Sequence, residues 1–206
     1  MGVRDVRICV LGDSYVVGVG DLTGQGWVGR VALAARVRGL DLTVYNLGVR
    51  RDTSLDVSRR WFDEVCLRLK DGDVFGVVFA FGLNDVDVRS GQRRVPRSRT
   101  LAVLGTMLDD AHNARWATFV VGPPPVADVE TTRRIGDLAT GMAEVCAARE
   151  VPFVDVAAAL SYDELWSREV AAADAYHPLA RGYERLAALI KDPLLLWLNA
   201  RAEVRS

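Results

Sequence analysis

Four polar stretches of the sequence contain residue types that could transfer an acyl group to a serine. Three directly follow apolar, strand-like runs and the fourth lies near the C-terminus: Gly12–Ser14, Asn46–Ser54, Gly82–Asp85 and Asp174–Pro178. Such a reaction needs a nucleophile, a base, a carboxylate that orients the base, and N–H donors for the oxyanion. Ser14 alone does not decide the matter, because a serine between a strand and a helix is also a favoured N-cap.

The search for a base is short because the chain has only two histidines. His112 lies in a predicted helix without a partner at a strand end, so we expect it on the surface. His177 has Asp174 three residues before it and Pro178 directly after it. The proline disfavours helical geometry at His177 and suits the first position of a following helix. His177 is therefore the candidate general base.

Strand-like and helix-like segments alternate along the chain. The predicted strands are Arg7–Leu11, Leu42–Leu47, Val74–Phe81, Ala117–Val121 and Pro152–Val156. The predicted helices are Gly26–Arg38, Ser54–Leu69, Arg97–Asn113, Thr131–Arg149, Leu179–Ile190 and a last helical segment that begins at Pro193. This order indicates a parallel sheet with helices on both faces, in which ligands bind at the carboxyl ends of the strands. No linker or repeat interrupts it, so we predict a single domain over residues 1–206.

The four stretches, in this order, resemble the conserved blocks of the SGNH, or GDSL, hydrolase family. The resemblance implies a three-layer αβα fold of the flavodoxin-like type with a parallel five-stranded sheet. It implies that Ser14 is the nucleophile, His177 the base and Asp174 its orienting partner. It also implies that the Asn84 side-chain amide and the Ser14 backbone N–H stabilise the oxyanion. No cofactor is implied.

The second block departs from the family pattern at one position. Arg51 stands where the family has a glycine whose backbone N–H contributes to the oxyanion hole. If φ of Arg51 stays negative, its N–H can still serve, because a positive φ is costly for arginine. Alternatively the loop is reshaped and Gly48 is the closest donor. The guanidinium groups of Arg50 and Arg51 either belong to a solvated loop or face an acidic substrate.

A second arginine-rich stretch follows the third strand. Residues 89–99 contain five arginines, which favours a solvated loop over contact with an anionic substrate. Its position after the third strand places it near the site, where it could cover the pocket. Asp13, beside the candidate nucleophile, is predicted to be a structural hydrogen-bonding residue and not a second acid.

Composition limits the classes of function. The net charge of −1 argues against binding to nucleic acid or to an anionic membrane surface, and no apolar run is long enough to span a bilayer. The N-terminus does not resemble a signal peptide. Three scattered cysteines in apolar surroundings are predicted to be buried, reduced thiols: Cys9, Cys66 and Cys146. Together these features predict a cytoplasmic protein. No metal is predicted, because no cluster has metal-ligand spacing.

The sequence therefore predicts a serine esterase that hydrolyses a small carboxylic ester through an acyl-enzyme on Ser14, with a small-molecule ester as its partner. Three alternatives remain: an acyltransferase or a carbohydrate deacetylase that uses the same site, or a non-catalytic flavodoxin-like binding module for a nucleotide or a protein. The C-terminal helical segment is predicted to dock on the domain, and the alternative is a homodimer interface.

Overall fold

The computed structural model describes residues 4–203 and contains a five-stranded, wholly parallel sheet. Its strands lie in the order β2-β1-β3-β6-β7. The strands in chain order are β1 Asp5–Gly12, β2 Asp41–Gly48, β3 Val74–Ala80, β4 Val88–Arg89, β5 Gln92–Arg93, β6 Ala117–Val121 and β7 Phe153–Val154. The antiparallel pair β4 and β5 forms a separate small hairpin. The predicted parallel five-stranded sheet is confirmed.

Helices cover both faces of this sheet. They are α1 Ser14–Val17, α2 Gly26–Val37, α3 Ser54–Cys66, α4 Leu83–Val86, α5 Arg97–Asn113, α6 Val129–Ala147, α7 Val156–Leu160, α8 Glu164–Ala172 and α9 Ala180–Glu203. Helix α2 packs against α9, while α3 packs against α5 and α5 against α6. Right-handed crossovers place the first pair on one face and the other three helices on the opposite face, which gives the predicted three layers.

The apolar character of the central strands follows from burial on both faces. Val77, Val78 and Phe79 of β3 are completely buried, and so are Cys9 and Leu11 of β1. Continuous apolar runs are typical of parallel strands that are covered on both sides. The register of β1 with both neighbours brings Gly12, Gly48 and Ala80 side by side at the carboxyl edge of the sheet. This edge is where the polar stretches begin.

The predicted break at Pro193 is wrong, because α9 runs through it without interruption. Pro193 is exposed, whereas Leu194, Leu195 and Leu198 are buried against the rest of the protein. Burial of these side chains outweighs the helical hydrogen bond that proline cannot make. The segment docks on the domain as predicted, and its last predicted residue, Val204, lies outside the described residues.

Other predictions fail in smaller ways. Strand β7 has two residues instead of five, and Pro178 lies two residues before α9 instead of opening it. Cys9 and Cys146 are buried as predicted, but Cys66 is exposed. It follows the buried Val65 at the end of α3, and the helical rotation of about 100° per residue carries its side chain off the buried face.

Within residues 4–203, no helix is both long enough and apolar enough to cross a membrane.

Candidate active site

A cleft of about 330 Å³ lies at the carboxyl edge of the sheet. Its lining includes four residues that the sequence predicted to act together: Ser14, Asn84, Asp174 and His177. Ser14 begins α1 directly beyond β1, and Asn84 lies in α4 directly beyond β3. The loop between α8 and α9 contributes Asp174 and His177. The fold thus brings together residues that are up to 163 positions apart in sequence.

Ser14, His177 and Asp174 form a continuous chain of hydrogen bonds. The His177 Nε2 atom lies 2.7 Å from Ser14 Oγ, and its Nδ1 atom lies 2.7 Å from Asp174 Oδ2. Ser14 and His177 are buried, with 6% and 9% of their surface exposed. With Nδ1 donating to the carboxylate, Nε2 can accept the serine proton, which is the arrangement that general-base activation of a hydroxyl requires.

Asp174 is held in its ionised form by the loop that it belongs to. Partial burial raises its pKa, but hydrogen bonds from the backbone and ring of His177 and from the backbone N–H of Tyr176 outweigh that effect, and the pKa is lowered overall. The backbone donors contact Asp174 Oδ1 at 2.7 and 3.0 Å, which leaves Oδ2 for the imidazole. A carboxylate of this kind fixes the orientation of the ring and stabilises its protonated form.

Asp13, and not Ser14, is the N-cap of α1. Its Oδ1 atom accepts the backbone N–H of Tyr15 at 3.0 Å, which leaves the Ser14 hydroxyl free to face His177. Gly48 of the adjacent strand lets this turn approach closely. A Cβ atom at Gly48 would lie 2.6 Å from the backbone nitrogen of Val17 and 2.9 Å from the carbonyl oxygen of Asp13. Only glycine avoids that clash.

Asp13 is 2% exposed, and the pKa of its carboxyl group is raised. Burial raises the pKa of Asp13 to about 7, and the nearby carboxylates of Asp85 and Asp52 contribute in the same direction. Hydrogen bonds from Tyr15 and Asn84 oppose these effects without cancelling them. Asp13 accepts hydrogen bonds from Tyr15 and Asn84, and its role as a structural residue rather than a second acid stays a prediction.

Asn84 is half-buried at the base of the cleft. Its Nδ2 atom donates to the carbonyl oxygen of Asp52 at 3.0 Å and to Asp13 Oδ2 at 3.3 Å. These contacts join the ends of β1 and β3 to the loop that follows β2. The longer of the two bonds, to Asp13, is also the weaker one.

The loop after β2 has a residue in the left-handed conformation at the position where the resembled family has a glycine. Arg51 has φ of +70°, so the negative φ given above as the condition for its N–H to serve is not found. Among residues 4–203, no acceptor is present for the Arg51 backbone N–H, whereas that of Gly48 donates to Asn46 Oδ1 at 3.1 Å. The Arg94 guanidinium donates to the Arg51 carbonyl oxygen at 3.1 Å and stabilises this backbone conformation.

Sequence reasoning missed two supporting residues. The Tyr15 hydroxyl donates to the carbonyl oxygen of Tyr176, and its ring centroid lies 5.2 Å from that of His177. Arg60 donates to Asp52 Oδ2 at 2.8 Å and to the carbonyl oxygens of Gly12, the last residue of β1, and Leu47, the next-to-last residue of β2. For Tyr15, the only sequence signal of a role at the site was its position directly after the serine. For Arg60 there was no sequence signal, because its partners come from three separate segments.

The stretch of residues 89–99 is more ordered than the predicted solvated loop. It forms the β4–β5 hairpin and the first turn of α5. Arg93 and Arg97 pair with Asp137 on α6, whereas Arg89 lines the cleft. His112 is exposed on α5 and does not line the cleft. Within the described part of the chain, no group of three or more His, Cys, Asp or Glu residues is arranged to hold a metal ion.

Comparison with known proteins gives a family and a set of structural relatives. A model of the GDSL-like lipase/acylhydrolase family matches residues 10–185. The structure of a lipase/acylhydrolase from Enterococcus faecalis is 27% identical, covers 93% of this chain and 96% of its own, and superposes with a TM-score of 0.76. A catalytic mutant of an acetylxylan esterase from Geobacillus stearothermophilus is 19% identical, with coverage of 100% and 99% and a TM-score of 0.75.

A third similar structure is that of the psychrotrophic esterase EstA from Pseudoalteromonas sp., inhibited by monoethylphosphonate. It is 19% identical, covers 95% of this chain and 100% of its own, and has a TM-score of 0.72. A search of curated proteins found no significant match. At these identities the last two structures establish likeness of fold.

Proposed function

The chain belongs to the GDSL-like lipase/acylhydrolase family and is an ester-hydrolysing enzyme, and from this premise we propose that it acts through an acyl-enzyme on Ser14. The observation that carries the proposal is the hydrogen-bonded chain from Ser14 Oγ through His177 to Asp174. A serine that is only a helix cap has no need of such a chain, and in this protein the cap is Asp13.

The proposed reaction has two halves. His177 Nε2 takes the Ser14 proton as Oγ attacks the ester carbonyl carbon, and the tetrahedral intermediate then expels the alcohol, which receives that proton from His177. In the second half, His177 takes a proton from water, the hydroxide attacks the acyl-enzyme, and the carboxylic acid leaves as Ser14 regains its proton. Asp174 stays ionised throughout and stabilises the imidazolium.

We assign the oxyanion hole to three N–H donors. They are the backbone N–H groups of Ser14 and Arg51 and the Asn84 side-chain amide. Arg51 is preferred to Gly48 because the N–H of Gly48 already donates to Asn46, whereas that of Arg51 has no acceptor within residues 4–203. At Asn84, the oxyanion would replace the 3.3 Å hydrogen bond to Asp13 and leave the shorter one to Asp52 in place.

The proposed substrate is a small-molecule ester. A cleft of about 330 Å³ is near the lower end of the range for small-ligand sites, which favours a short acyl chain. Removal of acetyl groups from a carbohydrate is a second candidate, because one protein of similar fold is an acetylxylan esterase. Transfer of the acyl group to an acceptor other than water would use the same intermediate.

The test compares wild type with Ser14→Ala on p-nitrophenyl esters from acetate to decanoate. We expect activity in wild type, strongest for short acyl chains, and a loss of at least about 10⁴-fold in kcat for the variant. Ser98→Ala, at an exposed serine early in α5, is the matched control and should behave as wild type. A fluorophosphonate should label wild type and the control but not Ser14→Ala.

One outcome would overturn the proposal. If folded wild type hydrolyses none of these esters and is not labelled by the fluorophosphonate, then Ser14 is not an activated nucleophile, and the binding-module hypothesis takes its place. Acyl transfer is scored separately, by the ester formed with an added alcohol or sugar. A carbohydrate deacetylase would release acetate from acetylated sugars faster than from p-nitrophenyl acetate at equal concentration.

A further inference from the structure

The charges that line the cleft do not balance. Arginines at three positions face it together with Asp87 and Asp174: Arg50, Arg51 and Arg89. Both carboxylates already have partners, since Asp174 binds His177 and Asp87 pairs with Arg89 at 3.4 Å. Within residues 4–203, neither Arg50 nor Arg51 has an ion pair or a side-chain hydrogen bond. Three arginines against two carboxylates therefore leave the lining one net positive charge, and among the described residues neither Arg50 nor Arg51 has a counter-ion in contact.

The backbone of Arg51 gives a second, independent observation. Its φ of +70° is a conformation that costs an arginine free energy and that glycine would adopt freely. The surrounding structure holds it there, because Arg94 donates to its carbonyl oxygen at 3.1 Å. Strained residues of this kind concentrate at functional sites. What arginine adds here, compared with glycine, is a guanidinium at the rim of the cleft.

We propose that Arg50 and Arg51 bind an acidic group of the substrate, so that this enzyme prefers anionic esters that bear a carboxylate or a phosphate. The inference rests on the proposed esterase function and specifies its substrate class. Guanidinium groups suit both anions, because their N–H donors match pairs of carboxylate or phosphate oxygens. The position of the two arginines on the loop after β2, which also supplies the Arg51 N–H, would hold the acidic group beside the reacting ester.

The test uses aryl acetates that carry a neutral or an anionic group at the para position. The neutral ester is methyl 4-acetoxybenzoate, and the anionic ones are 4-acetoxybenzoate and 4-acetoxyphenyl phosphate. The readout is the ratio of kcat/KM for each anionic ester to that for the neutral ester, compared between wild type and variants. This comparison cancels both the intrinsic reactivity of each ester and any general loss of activity in a variant.

The variants are Arg50→Gln, Arg51→Gly and the charge reversal Arg50→Glu. We expect the anionic-to-neutral ratio to fall about tenfold in each of the first two and further in the third, since a charge-assisted hydrogen bond is lost. The matched control is Arg38→Gln, which removes an exposed positive charge at the opposite edge of the sheet and should leave the ratio unchanged. High salt should reduce the ratio in wild type. The anionic ester with the larger drop identifies the preferred acidic group.

Equal ratios in wild type and in all three variants would overturn the inference while leaving a Ser14-dependent esterase intact. A binding experiment tests the anion site independently of ester hydrolysis. In Ser14→Ala, calorimetry should give a dissociation constant for 4-acetamidobenzoate about tenfold below that for its methyl ester, and Arg50→Gln should abolish the difference. If that difference is found but no ester is hydrolysed, the acyl-enzyme proposal fails and the anion site stands. If it is absent, the anion site is wrong whatever the activity.

Discussion

A single amide group at Asn84 connects the structure of the cleft to its proposed chemistry. In the structure, its two N–H bonds point to the carbonyl oxygen of Asp52 and to the Asp13 carboxyl group. In the proposed reaction, the second of these donates to the oxyanion. The same contacts that hold the amide in place therefore orient it before the substrate arrives, which reduces the reorganisation that accompanies formation of the intermediate.

The Asn84→Ala variant should lower kcat by about 10²–10³, the usual effect of removing one oxyanion donor. The measurement is kcat for p-nitrophenyl acetate, with urea denaturation to show that the variant is folded. Asn113→Ala at the end of α5, on the opposite edge of the sheet, is the control and should keep the kcat of wild type. An Asn84→Ala enzyme with unchanged kcat would show that this amide does not stabilise the oxyanion.

The raised pKa of Asp13 predicts a specific dependence of stability on pH. Because the folded-state pKa of about 7 exceeds the ordinary value of 3.8, the folded protein binds this proton more tightly than the unfolded chain does. Raising the pH from about 4 to 8 therefore destabilises wild type through Asp13, at about 1.4 kcal/mol for each pKa unit. In Asp13→Asn that cost is absent.

The free energy of unfolding of Asp13→Asn, minus that of wild type, should therefore rise by more than about 1 kcal/mol between pH 4 and pH 8. Urea denaturation at several pH values gives this difference, and its slope is the readout because the asparagine also changes hydrogen bonding equally at every pH. Asp128→Asn, at the N-cap of α6, is the control. The Thr131 hydroxyl and backbone N–H lower the pKa of Asp128, so its contribution is lost only as the pH falls below about 4. A flat or falling difference for Asp13→Asn contradicts the prediction.

For individual residues, the sequence predicted which side chains meet at the site better than it predicted their backbone conformations. Ser14, Asp174 and His177 were found because each lies in a short block with neighbours of fixed type, and the structure brings all three together. Their catalytic roles stay predictions. The positive φ of Arg51 was not foreseen, because it depends on support from Arg94, which lies 43 residues away. No local pattern reports a contact of that kind.

Among the elements, the buried carboxylate of Asp85 joins the starts of three helices. From α4 it accepts hydrogen bonds from the backbone N–H of Ser54 at 2.9 Å and from the Ser54 hydroxyl, both at the start of α3. The Thr100 hydroxyl in the first turn of α5 donates to it at 2.8 Å. Burial raises the pKa of Asp85 despite these bonds. This network fixes the α4 segment on which Asn84 lies.

The Asp85→Ala variant should lower the free energy of unfolding by about 3–5 kcal/mol, because it leaves three buried donors without an acceptor. The Asp85→Asn variant keeps one acceptor oxygen, and the hydroxyl groups can reorient towards it, so a loss of about 1–2 kcal/mol is expected. Urea denaturation at pH 7 measures both. Asp110→Ala, at an exposed position of α5, controls for loss of a carboxylate and should change stability by less than about 0.5 kcal/mol. Equal, small losses at Asp85 would mean that the network does not hold the helices.

The elements were predictable where periodicity is strong and unpredictable where tertiary packing decides. The β3 strand and the α5 helix appear within one residue of their predicted bounds. Helix α9 passes through Pro193 because the leucines that follow it are buried. The β4–β5 hairpin escaped prediction because each of its strands has only two residues. Local sequence propensity indicates neither the continuity of α9 at Pro193 nor the β4–β5 hairpin.

For the whole molecule, we propose that residues 1–206 unfold as one cooperative domain, and the cysteines offer a way to test this. Cys9 lies in the interior strand β1, and Cys146 lies in α6, which leads to the edge strand β7. Burial raises the pKa of both thiols to about 12, so neither reacts in the folded protein. Cys66 is exposed and should react. The native protein should therefore consume one equivalent of 5,5′-dithiobis(2-nitrobenzoate), and the unfolded protein three.

Two double variants distinguish the interior of the sheet from its edge. Cys66→Ser/Cys146→Ser keeps only Cys9, and Cys66→Ser/Cys9→Ser keeps only Cys146. If the chain is one cooperative unit, each remaining thiol should become reactive at the same urea concentration as the loss of helical circular dichroism in that variant, because both sites then open only by global unfolding. A Cys146 that reacts well below that concentration, while Cys9 stays protected, would mean that α6 and the β7 edge open separately, and the single-domain proposal would be wrong.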